Sequence, residues 1–135
     1  MVMDIDQNEL QLLIISLGDN RYGIDIDQIA YLTNFDTTES SVGFEQLLAA
    51  DPVMNCPYSK MLLIKQQLQT PILIPEPDEV TTFQVSDIHK LPAVLTVASG
   101  KKGIWGLLPQ KSGVIILIDF YKNQLFKRLA SSIDN

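Results

Sequence analysis

The sequence is poor in the residues that build metal centres, disulfides and nucleophilic sites. It contains one cysteine and one histidine among 135 residues. One cysteine cannot form an intramolecular disulfide, and Cys56 with His89 is too small a set for a zinc site. A nucleophilic thiol also needs an adjacent base, and the two residues lie on different predicted elements. These shortages predict a protein that is not an enzyme and holds no metal or cofactor.

Positive charge and long apolar runs are also scarce. Ten Lys and Arg stand against 16 Asp and Glu, for a net charge of −6. Such a chain repels phosphate backbones and anionic lipid, so we expect no nucleic acid or membrane partner. The apolar runs fall far short of the roughly 20 residues of a membrane-spanning helix. Residues 1–6 lack the basic region of a signal peptide. The sequence therefore predicts a cytoplasmic protein without membrane insertion.

What the sequence does have is short apolar stretches separated by turns. Apolar residues make up 46% of the chain. Their pattern predicts strands at 10–17, 21–24, 60–66, 70–75, 80–85, 103–108 and 114–118. Helical spacing predicts helices at 44–50 and 119–129 and a single helical turn at 25–29, with Asp25 and Asp119 as N-caps. Residues 33–43 are polar and are predicted to form a loop.

Three of these stretches, LLII, LLI and VIILI, are continuous apolar runs rather than alternations. Successive side chains of a strand point to opposite faces, so a continuous run requires both faces to be covered. We therefore expect an antiparallel barrel or sandwich with a second layer packed on it. Trp105 is predicted to belong to the core, where its replacement by alanine would cost about 3–5 kcal/mol.

The stretches LLIISLGDNRYGIDIDQIAYL and GIWGLLPQKSGVIILIDFYKNQL carry a resemblance to a known family. The first is similar to the opening hairpin of CheW-like domains, and the second to their closing hairpin and terminal helix. In the middle block, MLLIKQQLQTPILIPEPDEVTTF, Asp78-Glu79-Val80 match a Val-Asp-Glu-Val signature in which Pro77 replaces the first Val. Asp119 falls on the Asp that ends the family's last strand.

The resemblance implies a mainly β fold in which residues 1–135 form a single CheW-like domain. Such a domain consists of two packed small antiparallel β-barrels with short helices and a C-terminal helix. The chain departs from the family at 33–57, where a polar loop and a short helix replace a hairpin with an Asn-Leu-Arg-Gly turn. The resemblance is therefore to a shortened, divergent member, and we expect one of the two barrels to be incomplete.

The resemblance also implies a function: a non-enzymatic adaptor or scaffold in chemotaxis-type signal transduction. Its partners would be the regulatory domain of a histidine kinase, a chemoreceptor, or both. An open barrel would further favour a symmetric homodimer. The residues predicted to lie at a partner interface or in the core are Leu12, Ile14, Val114, Ile116 and Ile118.

A second hypothesis is a sensor barrel that holds a small ligand in an apolar cavity. Its polar anchors would be Tyr22, Tyr58 and His89. Asp25 and Asp27 could in principle bind a cation, but calcium loops need more oxygen ligands at fixed spacing. Solvation and helix capping are the expected roles of these two carboxylates.

Overall fold

The computed structural model describes residues 8–35, 41–48, 58–92 and 99–133. Nine strands lie within these residues. They are β1 Glu9–Leu17, β2 Asn20–Asp25, β3 Ile29–Asn34, β4 Val42–Gly43, β5 Tyr58–Ile64, β6 Gln67–Pro75, β7 Glu79–Gln84, β8 Ile104–Gln110 and β9 Gly113–Ile118. The helices that lie entirely within these residues are α1 Phe44–Leu47 and α2 Gln124–Ile133, with short 3-10 helices at Ile26–Gln28, Val85–Asp87 and Phe120–Lys122.

The strands form two sheets. The five-stranded sheet has the order β7-β1-β2-β9-β8, and the four-stranded sheet has the order β3-β5-β6-β4. The predicted mainly β fold with short helices and a C-terminal helix is thus confirmed. The sheets are not closed barrels, and the pairing is not wholly antiparallel, because β2 pairs with β9 and β4 with β6 in parallel.

The five-stranded sheet comes nearest to closing on itself. Beyond the end of β7, His89 forms an isolated antiparallel bridge with Leu107 of β8. The His89 N–H donates to the Leu107 carbonyl at 2.8 Å, and the Leu107 N–H donates back at 2.9 Å. Because this is a single bridge and not a ladder, the sheet curls without becoming a barrel.

Strand β1 is buried on both faces, as its continuous apolar run predicts. Leu12 and Ile14 point into a small core that the five-stranded sheet and the turn after β7 enclose. Leu13, Ile15 and Leu17 point the other way, into a main core shared with the four-stranded sheet and both helices. The alternation of side chains along β1 therefore joins two hydrophobic cores.

The small core depends on a close approach between β2 and β9. Its buried members are Leu12, Ile14, Leu108, Ile115 and Leu117. Gly23 of β2 faces this core, and a Cβ on it would lie 3.1 Å from the side chains of Leu12, Ile115 and Leu117. Glycine at this position lets the parallel partner strand pack directly against β2.

The main core contains a row of aromatic rings. Tyr22 of β2 meets Phe44 of α1 edge to face, with the ring centroids 5.2 Å apart. Phe44 lies 6.0 Å from Phe120, and Phe120 lies 5.9 Å from Phe126 of α2. Such offset and edge-on pairs add to the burial energy of the rings. They pack both helices into the main core.

Polar contacts also join the sheets where the chain passes from one to the other. The Gln28 amide donates to Asp119 at 3.0 Å and accepts from the Phe120 N–H at 3.2 Å. The Gln28 carbonyl accepts from the Lys65 N–H at 2.9 Å. The Tyr121 hydroxyl donates to the Lys65 carbonyl at 2.9 Å. These bonds connect the end of β9, the β5–β6 turn and the crossover into β3.

The helix predicted over 119–129 is interrupted. Asp119 is an N-cap, as predicted, and accepts from the Tyr121 N–H at 2.9 Å, but it caps a single 3-10 turn. Asn123 then begins α2, and its side chain accepts from the Phe126 N–H at 2.9 Å. An Asn with this bond is a strong N-cap, so the sequence specifies two successive helix starts.

The prediction that Trp105 lies in the core is wrong. Its side chain is 36% exposed. Ile104 faces Ile118 across the β8–β9 ladder and Gly106 faces Leu117, which makes Trp105 the extra residue of a β-bulge. A bulged residue leaves the regular alternation of the strand. We therefore expect Trp105→Ala to cost only about 1 kcal/mol.

The double-sided burial of β1 can be tested by consecutive alanine substitutions. Leu12→Ala, Leu13→Ala, Ile14→Ala and Ile15→Ala should each lower the free energy of unfolding by about 2–5 kcal/mol. The exposed Gln11→Ala is the control and should change it by less than about 0.5 kcal/mol. Urea unfolding measures these differences. A large loss at only two alternate positions would contradict burial on both faces.

Candidate protein-interaction surface

The two ends of the five-stranded sheet carry features that discourage strand addition. On β8, the His89 bridge occupies the outer edge at Leu107. The bulge at Trp105 and the missing N–H of Pro109 interrupt the strand. On β7, Glu79 lies 3.6 Å from Arg21 in a salt bridge. Bulges, prolines and charges are the usual means by which edge strands avoid pairing with other chains.

The four-stranded sheet ends differently on its two sides. Strand β4 has only two residues and leads directly into α1. Strand β3 has six residues, IAYLTN, and none of them is charged. Within the described part of the chain, β3 pairs with β5 alone and has no strand on its other side. It is the edge strand with the weakest protection.

Large apolar side chains lie exposed along β3. Tyr31 is 61% exposed, Leu32 42%, and Phe35, immediately after the strand, 41%. These three residues are referred to below as the β3 surface. Tyr31 pairs with Leu63 of β5, a half-buried residue on the outward side of the sheet. Leu32 pairs with the buried Leu62, so it lies on the opposite face of the strand from Tyr31. Exposed apolar residues at a sheet edge are a typical feature of protein-interaction sites.

The main chain of β3 also offers hydrogen-bonding groups. The Phe35 N–H donates to the Ser59 carbonyl at 2.9 Å, which places Phe35 in a hydrogen-bonded pair. Bonding direction alternates along an antiparallel strand, so the N–H and C=O groups of Leu32 and Asn34 point away from β5. A partner strand could therefore pair with this edge while exposed side chains set its specificity.

A polar cavity of about 490 Å³ lies beside the beginning of β1. Its lining includes Glu9, Gln11, Asp25, Asp27 and Thr82. Small-ligand pockets are mostly apolar with few polar groups, and this lining is the reverse. No group of three or more His, Cys, Asp or Glu within the described ranges has the arrangement of a metal site.

The electrostatics of this cavity centre on Asp25. Burial raises the pKa of its carboxyl above the ordinary value of 3.8, and the charges of Asp27 and Asp119 act in the same direction. The hydrogen bond from the Asp27 N–H to Asp25, 2.9 Å long, and the charge of Lys65 act in the opposite direction. Asp25 is thus the predicted N-cap of the 3-10 helix Ile26–Gln28, and it holds its charge at some cost.

The five predicted interface residues have different environments. Leu12 and Ile14 are buried in the small core, and Ile118 is buried in the main core. Ile116 is partly buried against the main core, and Val114, beside the β8–β9 turn, is 46% exposed. Their role in binding a partner stays a prediction, with Val114 the most accessible of the five.

The three anchors of the sensor-barrel hypothesis do not converge on one cavity. Tyr22 is buried against Phe44. The Tyr58 hydroxyl donates to Glu45 at 2.9 Å, and His89 is an exposed residue at the edge of β8. Cys56 lies outside the described residues.

Comparisons with known proteins agree with this architecture. No family model and no curated protein matches the sequence. Among solved structures, the chain is similar to the crystal structure of the scaffolding protein TtCheW from Thermoanaerobacter tengcongensis. The TM-score is 0.62 at 15% sequence identity, over 82% of this chain and 88% of that one. The fold is therefore CheW-like, which confirms at the level of the fold the resemblance seen in the three sequence blocks.

No helix in the described part of the chain is both long enough and apolar enough to cross a membrane. The replacement of a family hairpin by residues 33–57 stays a prediction, because 36–40 and 49–57 lie outside the described residues. Within that stretch, β3 extends to Asn34, and Val42–Gly43 forms β4.

Sequence reasoning missed β3, the strand that carries the candidate surface. The Ile26–Ile29 spacing fits a helical turn, and the polar run that begins at Thr33 predicts a loop. A signal was nevertheless present, because Ile29, Tyr31 and Thr33 are residues that favour strands. The helical turn proved to end at Gln28, which left these residues free to form β3.

Asp25→Asn tests the electrostatics of the cavity. In the folded protein the raised pKa means that the carboxyl binds its proton more readily than in the unfolded chain, so ionised Asp25 lowers stability at neutral pH. Asparagine keeps a capping oxygen without the charge. We therefore expect Asp25→Asn to raise the free energy of unfolding at pH 7.

The gain from Asp25→Asn should shrink as the pH falls and approach zero below the ordinary pKa of 3.8, where Asp25 is protonated in both the folded and the unfolded wild type. Urea unfolding at a series of pH values measures it. Asp19→Asn, in the exposed β1–β2 turn, is the matched control. A gain that did not change with pH would contradict the electrostatic cause.

Proposed function

We propose that this protein is a non-enzymatic, cytoplasmic adaptor that joins other proteins in a chemotaxis-type signalling assembly. The CheW-like fold supports this function, since the structure it resembles is that of a scaffolding protein. The partners by resemblance are the regulatory domain of a histidine kinase and a chemoreceptor. The proposal involves no covalent chemistry and no cofactor.

The β3 surface is the observation that carries the proposal. Tyr31, Leu32 and Phe35 combine exposed apolar area with an uncharged strand edge. Exposed Tyr and Phe are favourable contact residues because they supply large rigid surfaces. Strand addition at β3 would extend the four-stranded sheet into a partner.

A sensor barrel with an apolar ligand is the weaker alternative. It requires a cavity that suits such a ligand, and the polar cavity described above, lined by Glu9, Asp25 and Asp27, does not. It also requires polar anchors that meet, and Tyr22 and His89 belong to different regions of the molecule. An adaptor needs only an accessible surface.

The adaptor proposal predicts that removing apolar side chains from β3 weakens partner binding. The double variant Tyr31→Ser, Phe35→Ser should bind the purified regulatory domain of a chemotaxis histidine kinase about tenfold more weakly than the wild type. Because both side chains are exposed, thermal unfolding should change little. Isothermal titration calorimetry measures the affinity.

Leu68→Ser is the matched control, since Leu68 is similarly exposed at 45% but lies on β6. Equal losses in the control and the β3 variant would contradict a specific surface. Absence of binding by the wild type to both the kinase domain and a chemoreceptor fragment would overturn the proposal.

The proposed homodimer would form by pairing of the same strand, β3, from two copies of the chain. Two uncharged β3 strands can pair antiparallel about a two-fold axis without like charges meeting. Leu32→Pro removes an N–H that points away from β5, so it should block strand addition while the β3–β5 ladder persists. Light scattering should show a dimer for the wild type and a monomer for the variant. A wild-type monomer at high concentration would exclude the dimer.

A further inference from the structure

Charge is segregated along the chain. Residues 1–89 contain 14 Asp and Glu against 3 Lys and Arg, whereas residues 90–135 contain 7 Lys and Arg against 2 Asp and Glu. The overall net charge of −6 therefore conceals a basic C-terminal third. Strong asymmetry of this kind points to an interaction with a charged partner.

The fold gathers five of these basic residues around the start of α2. The Asn123 amide donates to the Lys102 carbonyl at 2.8 Å, which holds the turn before β8 against the helix. The Asp119 N–H donates to the Gly103 carbonyl at 2.8 Å and adds a second connection. The residues brought together are Lys101, Lys102, Lys122, Lys127 and Arg128, called the basic patch below.

Asn123 makes this arrangement rigid. It is fully buried, and its amide also donates to the Leu47 carbonyl of α1 at 2.7 Å while its oxygen caps α2 through Phe126. One side chain thus joins α1, α2 and the turn before β8. The main chain at Lys102 is thus held by a hydrogen bond, and Lys122, next in sequence to Asn123, is exposed.

Folding accounts for only part of this positive charge, because Lys122 lies in the last turn of the 3-10 helix Phe120–Lys122, where a cation suits the helix dipole. Cations stabilise the last turn of a helix, but α2 has none there, and Lys127 lies in its first half instead. Among the described residues, the lysines of the patch form no ion pair with a carboxylate, and the salt bridge found is Arg21–Glu79. Asp119, which precedes Lys122 in the same turn, already accepts bonds from Gln28 and Tyr121.

We infer that the basic patch binds an acidic segment of a partner protein, rich in Asp and Glu. Carboxylates placed against it would offset the mutual repulsion of the lysines, and opposite charge speeds association. A nucleic acid or an anionic membrane is a more extended anion, which the chain's net charge of −6 disfavours as the occupant. The inference rests on the proposed adaptor function for its biological role.

The experiment measures fluorescence anisotropy of a labelled poly-glutamate peptide. The wild type should bind it in low salt and release it as salt screens the charges, whereas a poly-glutamine peptide should not bind. Lys122→Glu with Lys127→Glu should weaken poly-glutamate binding by about tenfold or more. Lys90→Glu with Lys111→Glu changes net charge equally at exposed sites outside the patch and should retain most of the affinity.

Nuclear magnetic resonance of the isotope-labelled protein locates the contact. Peptide-induced shifts of the main-chain amides should concentrate at 101–103 and 119–128. Equal binding loss in the control variant, shifts spread over the whole surface, or no binding above poly-glutamine would each overturn the inference. Tighter binding of a DNA duplex or of phosphatidylserine vesicles would assign the patch to another class of partner.

Light scattering compares the molecular mass of the wild type with that of the Lys122→Glu, Lys127→Glu variant. Equal masses exclude a second copy of the chain as the occupant of the patch. Self-association that the Lys122→Glu, Lys127→Glu variant abolished would overturn the inference in favour of this occupant. The β3 variant Tyr31→Ser, Phe35→Ser should bind poly-glutamate normally. Failure at the patch and failure at β3 are therefore distinguishable.

Discussion

Burial of β1 on both faces is the constraint on which the rest of the structure depends. Four consecutive side chains, from Leu12 to Ile15, are apolar and buried, and alternate ones belong to different cores. A strand of this composition cannot lie at a surface, because one face would then expose apolar area to water. Each exposed Å² would cost about 25 cal/mol of free energy. It requires a curled sheet on one side and a second layer on the other. The two sheets and both helices supply these layers.

The same constraint determines where the molecule can interact. The central strands of the five-stranded sheet are buried in two cores. Partners can therefore contact only the sheet edges and the outer surface of the helices. There the molecule is uneven: β8 and β7 are protected, β3 is not, and the start of α2 is lined with lysines. An apolar edge and a charged patch suit different contacts. The edge adds buried apolar surface to a complex, and the patch orients an oppositely charged partner as it approaches.

The sequence patterns predicted local features better than distant ones. The apolar run of β1 and residues 115–118 of β9 correctly indicated strands with two covered faces, because hydropathy is a property of each residue by itself. Val114, at the start of the β9 run, is exposed. Asp25 and Asp119 were identified as caps from their own chemistry. The parallel pairing of β2 with β9 could not be predicted, since register between distant strands leaves no local signal. Trp105 was misplaced because a bulge depends on the partner strand. The basic patch emerges only when the turn before β8 meets α2.

The parallel pairing of β2 with β9 has a consequence for synthesis of the protein. The first hairpin leaves the ribosome early, but its neighbour β9 follows roughly 90 residues later. At about 5–20 residues per second, the nascent chain carries β2 without its final neighbour for about 5–20 s. During that interval, the apolar face of the hairpin that later packs against Ile115 and Leu117 is exposed to solvent. Chaperone capture of the growing polypeptide would act in this window, before the last strand inserts.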